Sequence, residues 1–159
     1  STMDHFLPAI AVDPSTAGSS AHLALVYHEF SDAACAELTC VLSVAYVTSQ
    51  DGGANWSARS QLAGPMSLDW LANTKLGRMV GDYVGAAYSS GNAFPAIAVA
   101  HSNNLTVFDE ATYSTTNPLI QARAVAAVER TQLRPGARSD HPPRRFYDLE
   151  HRYPRKPVP

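Results

Sequence analysis

Apolar and polar residues alternate over much of the first half of the chain, the period of a half-buried β-strand rather than of a helix. From Val41 to Thr48 this alternation puts Val44, Tyr46 and Thr48 on one face and Ala45 and Val47 on the other. Phe6–Val12 reads as an earlier strand, stopped by Asp13-Pro14, and Ala21–Phe30 as a second. In that second segment Leu23, Val26 and Tyr27 do not share one face, which predicts cover on both sides of the strand. Trp56–Leu62 reads as a fourth strand.

The segments between them carry turn chemistry. Ser15–Ser20 is a run of small residues, and Ser31–Thr39 is a loop holding a cysteine. Asp51-Gly52-Gly53 predicts a tight hairpin turn, because glycine reaches positive φ without a Cβ clash. Ser49 and Asp51 flank it with short side chains able to accept from its free N–H groups. Trp56 follows as a large apolar side chain that would pin the hairpin against a core. Four strands joined this way predict an antiparallel meander.

Gly64–Gly77 reads as an irregular connection. Met79–Ser89 then reads as a strand with Gly81 and Gly85 inside it, a sign of a bulge or close backbone approach. Ala93–His101 (A-F-P-A-I-A-V-A-H) echoes F-L-P-A-I-A-V near the start and points to a repeat. Leu105–Tyr113 is the last strand expected. Asn117-Pro118 is a good helix start, with Asn as cap and Pro in the first position, leading into an Ala-rich segment to Leu133. Residues 134–159 are rich in Pro and Arg and read as irregular. The chain therefore divides into a strand-rich region, 3–114, and a helix with a basic Pro-rich tail, 115–159.

Composition sharpens this division. The 159 residues are 45% hydrophobic and 16% charged, a globular balance. No apolar run reaches the roughly 18 residues of a membrane-spanning helix, so no membrane partner is expected. Residues 1–114 carry three basic residues (Arg59, Lys75, Arg78) against ten acidic ones; residues 115–159 carry nine basic against four acidic. The interleaved acids in the tail disfavour a nucleic-acid partner. Cys35 and Cys40 lie between strand-like segments, so a hairpin-tip disulfide is compatible with their spacing; the alternative is a pair of reduced thiols. A disulfide would imply an oxidising compartment, and the expected location is secreted or periplasmic.

Ser49, Asp51, Gly53 and Trp56 form S-x-D-x-G-x-N-W, which resembles the Asp-box (BNR repeat) of sialidases, with Asn55 where Thr is usual. H-F-L-P-A-I-A-V-D-P, Q-L-A-G-P-M, W-L-A-N-T, G-R-M-V-G-D-Y and V-F-D-E-A-T-Y extend the resemblance to the C-terminal part of secreted bacterial sialidase-like proteins. The resemblance covers roughly residues 5–114 and leaves the tail unmatched. It implies an all-β fold: a partial sialidase-like β-propeller of about two four-stranded antiparallel blades, followed by a short helix and an irregular Pro/Arg-rich tail. At about 40–50 residues per blade the chain is too short for a whole propeller. Either the chain is a fragment of a longer propeller or several copies assemble into one ring, and a homo-oligomer that completes the propeller is the expected partner.

Sialidases use an arginine cluster, a Tyr–Glu nucleophile pair and an Asp acid/base. Only Arg59 and Arg78 precede residue 115, so a three-arginine cluster is absent from the strand-rich region. The catalytic candidates are Asp82, Tyr83, Asp109 and Glu110; the substrate-binding candidates are Arg78 and Tyr113. Arg78 and Asp82 share a face of a regular strand, as an ion pair or as a pocket wall. Asp109 and Tyr113 share a face, with Glu110 opposite. His22, His28 and His101 read as strand-surface histidines.

Three functions remain open at this point. The first is a sialidase-like hydrolase acting on a glycoside, with paired carboxylates. The second is a non-catalytic carbohydrate- or protein-binding propeller. The third is a lactonase-type hydrolase with a divalent metal held by carboxylates. Only the third calls for a cofactor; no metal ligands are assigned. The expected ligand is a carbohydrate or another small molecule.

Overall fold

The alternating segments at the start of the chain pair into one antiparallel sheet in the computed structural model, which describes residues 3–32, 34–35, 39–104 and 107–121. Strands β1 (Asp4–Val12), β2 (Leu23–Phe30), β3 (Val41–Ser49) and β4 (Ser60–Ser67) lie in that spatial order. The register pairs Val26 with Tyr46 and Ala24 with Thr48, so the alternation sends these side chains to one face. Ala24, Val26, Leu42, Val44, Tyr46 and Met66 build the core there. Leu25, Tyr27, Ala45 and Val47 occupy the other face. Tyr27 and Ala45 are buried as well, so both sides of the sheet are covered at its centre.

One irregularity reshapes β1. Phe6 pairs with His28 and Ala9 with Val26, so three steps along β1 match two along β2. The extra residue is accommodated at Leu7, whose φ of 48° lies in the left-handed region. Pro8 sits in the same bulge, where its missing N–H costs no ladder bond.

The second half forms two smaller sheets. Strands β5 (Ala72–Thr74) and β6 (Gly77–Met79) make a hairpin. Strands β7 (Gly85–Ser89), β8 (Asn92–His101) and β9 (Asp109–Tyr113) make a three-stranded antiparallel sheet with β8 at its centre. Ile97, Val99 and Ala100 of β8 join the core of the first sheet. Two contacts stitch β8 to that sheet: Ala100 N–H donates to Met66 Sδ (3.2 Å), and His28 Nε2 lies 3.4 Å from the Ala98 carbonyl. After β9 the chain returns along β8, where Leu119 N–H donates to the Ala93 carbonyl (2.8 Å) and Leu119 is buried. Ile120 N–H then donates to Tyr46 Oη (3.2 Å), and Gln121 Nε2 to Tyr88 Oη (2.7 Å).

All-β architecture is thus correct, and several boundaries are not. The fourth strand starts at Ser60 rather than Trp56, because Ser57 closes the hairpin: its N–H donates to the Thr48 carbonyl (2.8 Å) and its Oγ accepts from Thr48 N–H (3.0 Å). The strand expected over Met79–Ser89 is broken at Gly81, which adopts φ 92°. A second four-stranded unit is replaced, among the described residues, by the β5–β6 hairpin and the three-stranded sheet. Among the described residues no sheet closes on itself. The strand expected from Leu105 begins at Asp109. The expected helix start is extended at Leu119, whose pairing with β8 overrides the Asn-Pro capping signal. The rest of that segment, and the Pro/Arg-rich tail, lie outside the described residues.

His28 is corrected too: it is fully buried, stacked on Phe6 with ring centroids 5.8 Å apart, not a surface histidine. Cys35 and Cys40 form a disulfide with Cα atoms 5.1 Å apart, across the β2–β3 loop. Among the described residues no helix is long and apolar enough to cross a membrane.

Candidate functional site

The Asp51-Gly52-Gly53 turn has the predicted hydrogen bonds. Ser49 Oγ accepts from Gly53 N–H (2.9 Å) and donates to Asp51 Oδ1 (2.8 Å). Asp51 Oδ1 accepts from Asn55 N–H (2.8 Å), and its Oδ2 from Asn55 Nδ2 (2.7 Å). Donation by the Asn55 backbone and side chain, and then by Ser49, holds the Asp51 carboxyl below the usual carboxylate range. Asn55 thus does the work of a polar side chain at this position. Trp56 is half-buried and packs on Gly53 rather than plugging the main core.

Gly52 N–H donates to the Ala21 carbonyl (3.0 Å), docking the turn on the β1–β2 connection. A Cβ on Gly52 would meet the Gly18 carbonyl oxygen at 2.6 Å, at φ 68°. Gly53, at φ 90°, leaves ordinary contact distance to Leu23 and Trp56. Gly53→Ala should therefore cost the left-handed penalty alone, about 1–2 kcal/mol. Gly52→Ala should cost more, because the opposing atom is backbone. Urea unfolding of the two variants checks this; equal losses would deny the docking contact.

The expected site residues do not gather into one pocket. Arg78 lies on β6, where Nη2 donates to Asp69 Oδ1 (3.2 Å) and Nη1 to the Leu71 carbonyl (3.2 Å). Its ionic partner is Asp69, not Asp82. Glu110 Oε2 accepts from Ala72 N–H (3.0 Å). Arg78 and Glu110 therefore hold the two ends of the same peptide group, Leu71–Ala72. Arg78 also borders a cavity of about 190 Å³ whose other walls include Phe6, Phe30 and Leu71. Asp82 and Tyr83 sit exposed in the loop after β6, Tyr83 at 90%. Asp109 is exposed at the start of β9, and Tyr113 meets His101 edge-on at 5.7 Å. No three His, Cys, Asp or Glu side chains group as metal ligands among the described residues.

A different cluster converges on the outer face of the four-stranded sheet. Glu29, only 1% exposed, is a carboxylate inside the protein. Its Oε1 accepts from Arg59 Nε (2.6 Å) and from Arg59 Nη2. Its Oε2 has no hydrogen-bond partner among the described residues, and His5 Nε2 lies 3.7 Å away. Tyr27 is two residues before Glu29 and meets the His5 ring edge-on at 5.1 Å. Burial, then the Glu29 charge, push the Tyr27 hydroxyl up from its ordinary value, with Arg59 opposing them. Beside the cluster is a cavity of about 320 Å³ lined by His5, Phe6, Pro8, Leu25, Tyr27 and Val47.

Sequence reading missed this cluster. Its one legible sign is the i, i+2 spacing of Tyr27 and Glu29, which puts both on one face of β2. The rest depends on register: β1 pairs His5 with Glu29, and the β3–β4 hairpin brings Arg59 across the sheet.

No protein-family model matches the chain, and no curated protein or solved structure matches it.

Proposed function

We propose that this chain is part of a secreted, sialidase-like β-propeller that binds carbohydrate without cleaving it. The observation that carries the reading is the clamp on the Leu71–Ala72 peptide. Arg78 and Glu110, the best-placed cation and carboxylate of the expected catalytic set, are both committed to holding β5–β6 in place. Asp82 and Asp109 stand exposed in solvent rather than in a pocket with them. A lactonase-type reading lacks a ligand set among the described residues. The Ser49–Asp51–Asn55 turn supports the propeller assignment as a folding device, and the disulfide suits an oxidising compartment.

Two assays on the full chain test the proposal. A panel of fluorogenic glycosides, a sialoside included, should show no turnover above buffer, whereas saturation-transfer NMR should register sugar binding. Turnover that Asp82→Asn or Glu110→Gln abolishes would establish the hydrolase instead.

A further inference from the structure

The four-stranded and the three-stranded sheet each have one apolar face that stays partly open among the described residues. In the first sheet Ile10 pairs with Leu25 and Val12 with Leu23, so Ile10 and Val12 lie on the outer side with Leu25 and Val47. Ile10 is 59% exposed and Val12 51%, and beside them is the apolar hollow of about 320 Å³ between Pro8, Leu25 and Val47. In the three-stranded sheet, Ala86, Tyr88, Ala93 and Ile97 turn toward the shared core. Alternation and register therefore send Gly85, Ala87, Phe94 and Ala96 to the opposite side. Ala87 and Ala96 are exposed there, and Phe94 is half-buried. A Cβ on Gly85 would meet that of Ala96 at 3.5 Å. This second face is thus flat and built of small residues, with Phe94 its one large side chain.

A strand with one face in water alternates apolar with polar residues, whereas one covered on both faces is apolar throughout. Residues 8–12 of β1 (P-A-I-A-V) and 93–100 of β8 (A-F-P-A-I-A-V-A) are apolar throughout. Each sheet is therefore patterned for cover on both sides, and the chain supplies full cover on one. The open faces are the outer sides of two sheets whose inner sides share one core. We propose that these two faces pack on each other between copies of the chain. The outer face of the first sheet in one copy receives the outer face of the three-stranded sheet in a second, with Phe94 seated over the hollow beside Leu25 and Val47. The contact repeats between molecules the sheet packing found within one. It joins two different patches, so copies add head to tail into a ring or a filament. Apart from His5 and the Glu29–Arg59 pair, which is already neutralised, the facing residues named are uncharged and cheap to desolvate. Four strands of eight or nine residues, spaced about 4.8 Å apart, present at most about 500 Å². The contact then buries about 1,000 Å² in total, the lower end for a specific interface, so association is concentration-dependent. The assignment rests on the propeller reading above and names its partner as a second copy of this chain.

Sedimentation velocity of the full chain and two variants tests this. Ile10→Lys charges the first face and Ala96→Lys the second. Both positions are exposed, so both variants should keep the wild-type circular dichroism spectrum. If either unfolds, Val12→Lys or Ala87→Lys, also at exposed positions, replaces it on the same face. The wild type should form species larger than a dimer as its concentration rises from about 10 to 500 µM, the range a contact of this size calls for. Each variant alone should stay monomeric, since each lacks one half of the contact. Mixed in equal amounts they should form a dimer with one copy of each, and nothing larger, because each supplies the half the other lacks. A wild type that stays monomeric over this range would overturn the proposal. So would a dimer that does not grow and that Ala96→Lys leaves intact, which would place two first faces against each other about a two-fold axis. A mixture of the two variants that fails to associate would overturn it as well. None of these outcomes touches the carbohydrate reading, which the saturation-transfer measurement tests separately.

Discussion

Arg59→Ala should destabilise the protein by about 2–3 kcal/mol, read as a lower urea midpoint at neutral pH with an unchanged slope. The carboxylate of Glu29 is 1% exposed and its accepting oxygen is held by two donors from one guanidinium. Removing those donors leaves a charge inside the sheet, with His5 Nε2 3.7 Å from the other oxygen. Breaking a fully buried pair costs about 3–5 kcal/mol. The Arg59 side chain is 36% exposed, however, so water can reach the vacated position and reduce the loss. Glu29→Leu combined with Arg59→Met should lie much closer to wild type, since neither charge then needs a partner. Arg59→Lys should fall between, because an ammonium cannot reproduce two donations from one planar fork. If Arg59→Ala unfolds within about 0.5 kcal/mol of wild type, the pair is not what allows Glu29 to be buried.

The same pair shows how far sequence reading reaches in this chain. Residue type and two-residue alternation were enough to find β2 and β3, and Asp51-Gly52-Gly53 was enough to find the turn between β3 and β4. Local chemistry decides each of these: glycine takes positive φ, and Ser49 and Asp51 satisfy the turn's N–H groups. What sequence could not supply was register across strands. A one-residue bulge at Leu7 determines which β1 side chains share a face with Tyr27 and Glu29. Ser57 bonding back to Thr48 moves the start of β4 and so places Arg59 just before it. Arg78 and Asp82, expected to share a strand face as an ion pair or a pocket wall, do not pair for a related reason. Gly81 breaks the strand that would have put both on one face, and Asp69 takes the guanidinium instead. At Leu119 the pairing of distant residues outweighed a good local helix signal. The candidate site is thus built from residues 5, 27, 29 and 59, scattered over 55 positions, and only the Tyr27–Glu29 spacing was visible locally.

The second large effect should appear on acidification, between about pH 6.5 and 5. His28 is fully buried between the two sheets, against Phe6, Val44 and the Ala98 carbonyl. Burial pushes its imidazole below the ordinary histidine value, and the Ala98 carbonyl offsets this only in part. Nδ1 has no partner among the described residues, so a second proton on the ring would sit unsatisfied in the core. In the unfolded chain the same ring takes its proton near pH 6.5. Below that pH the unfolded state binds one more proton than the folded state, and stability must fall as pH falls. The limit for one such group is about 1.4 kcal/mol per pH unit. Asp13 and Asp51 are held below the usual carboxylate range by donors from Ser15 and from Asn55 and Ser49, so their contributions are lost only at lower pH, below about 4. Measurement between pH 6.5 and 5 stays above the carboxylate window, which makes the histidine effect separable there. His28→Leu removes the titrating ring and its orphaned nitrogen while keeping an apolar side chain of similar size. Its urea midpoint should stay nearly flat from pH 6.5 to 5, while that of the wild type drops. If both drop in parallel, another group governs the acid limb and the interface between β2 and β8 does not sense pH through His28.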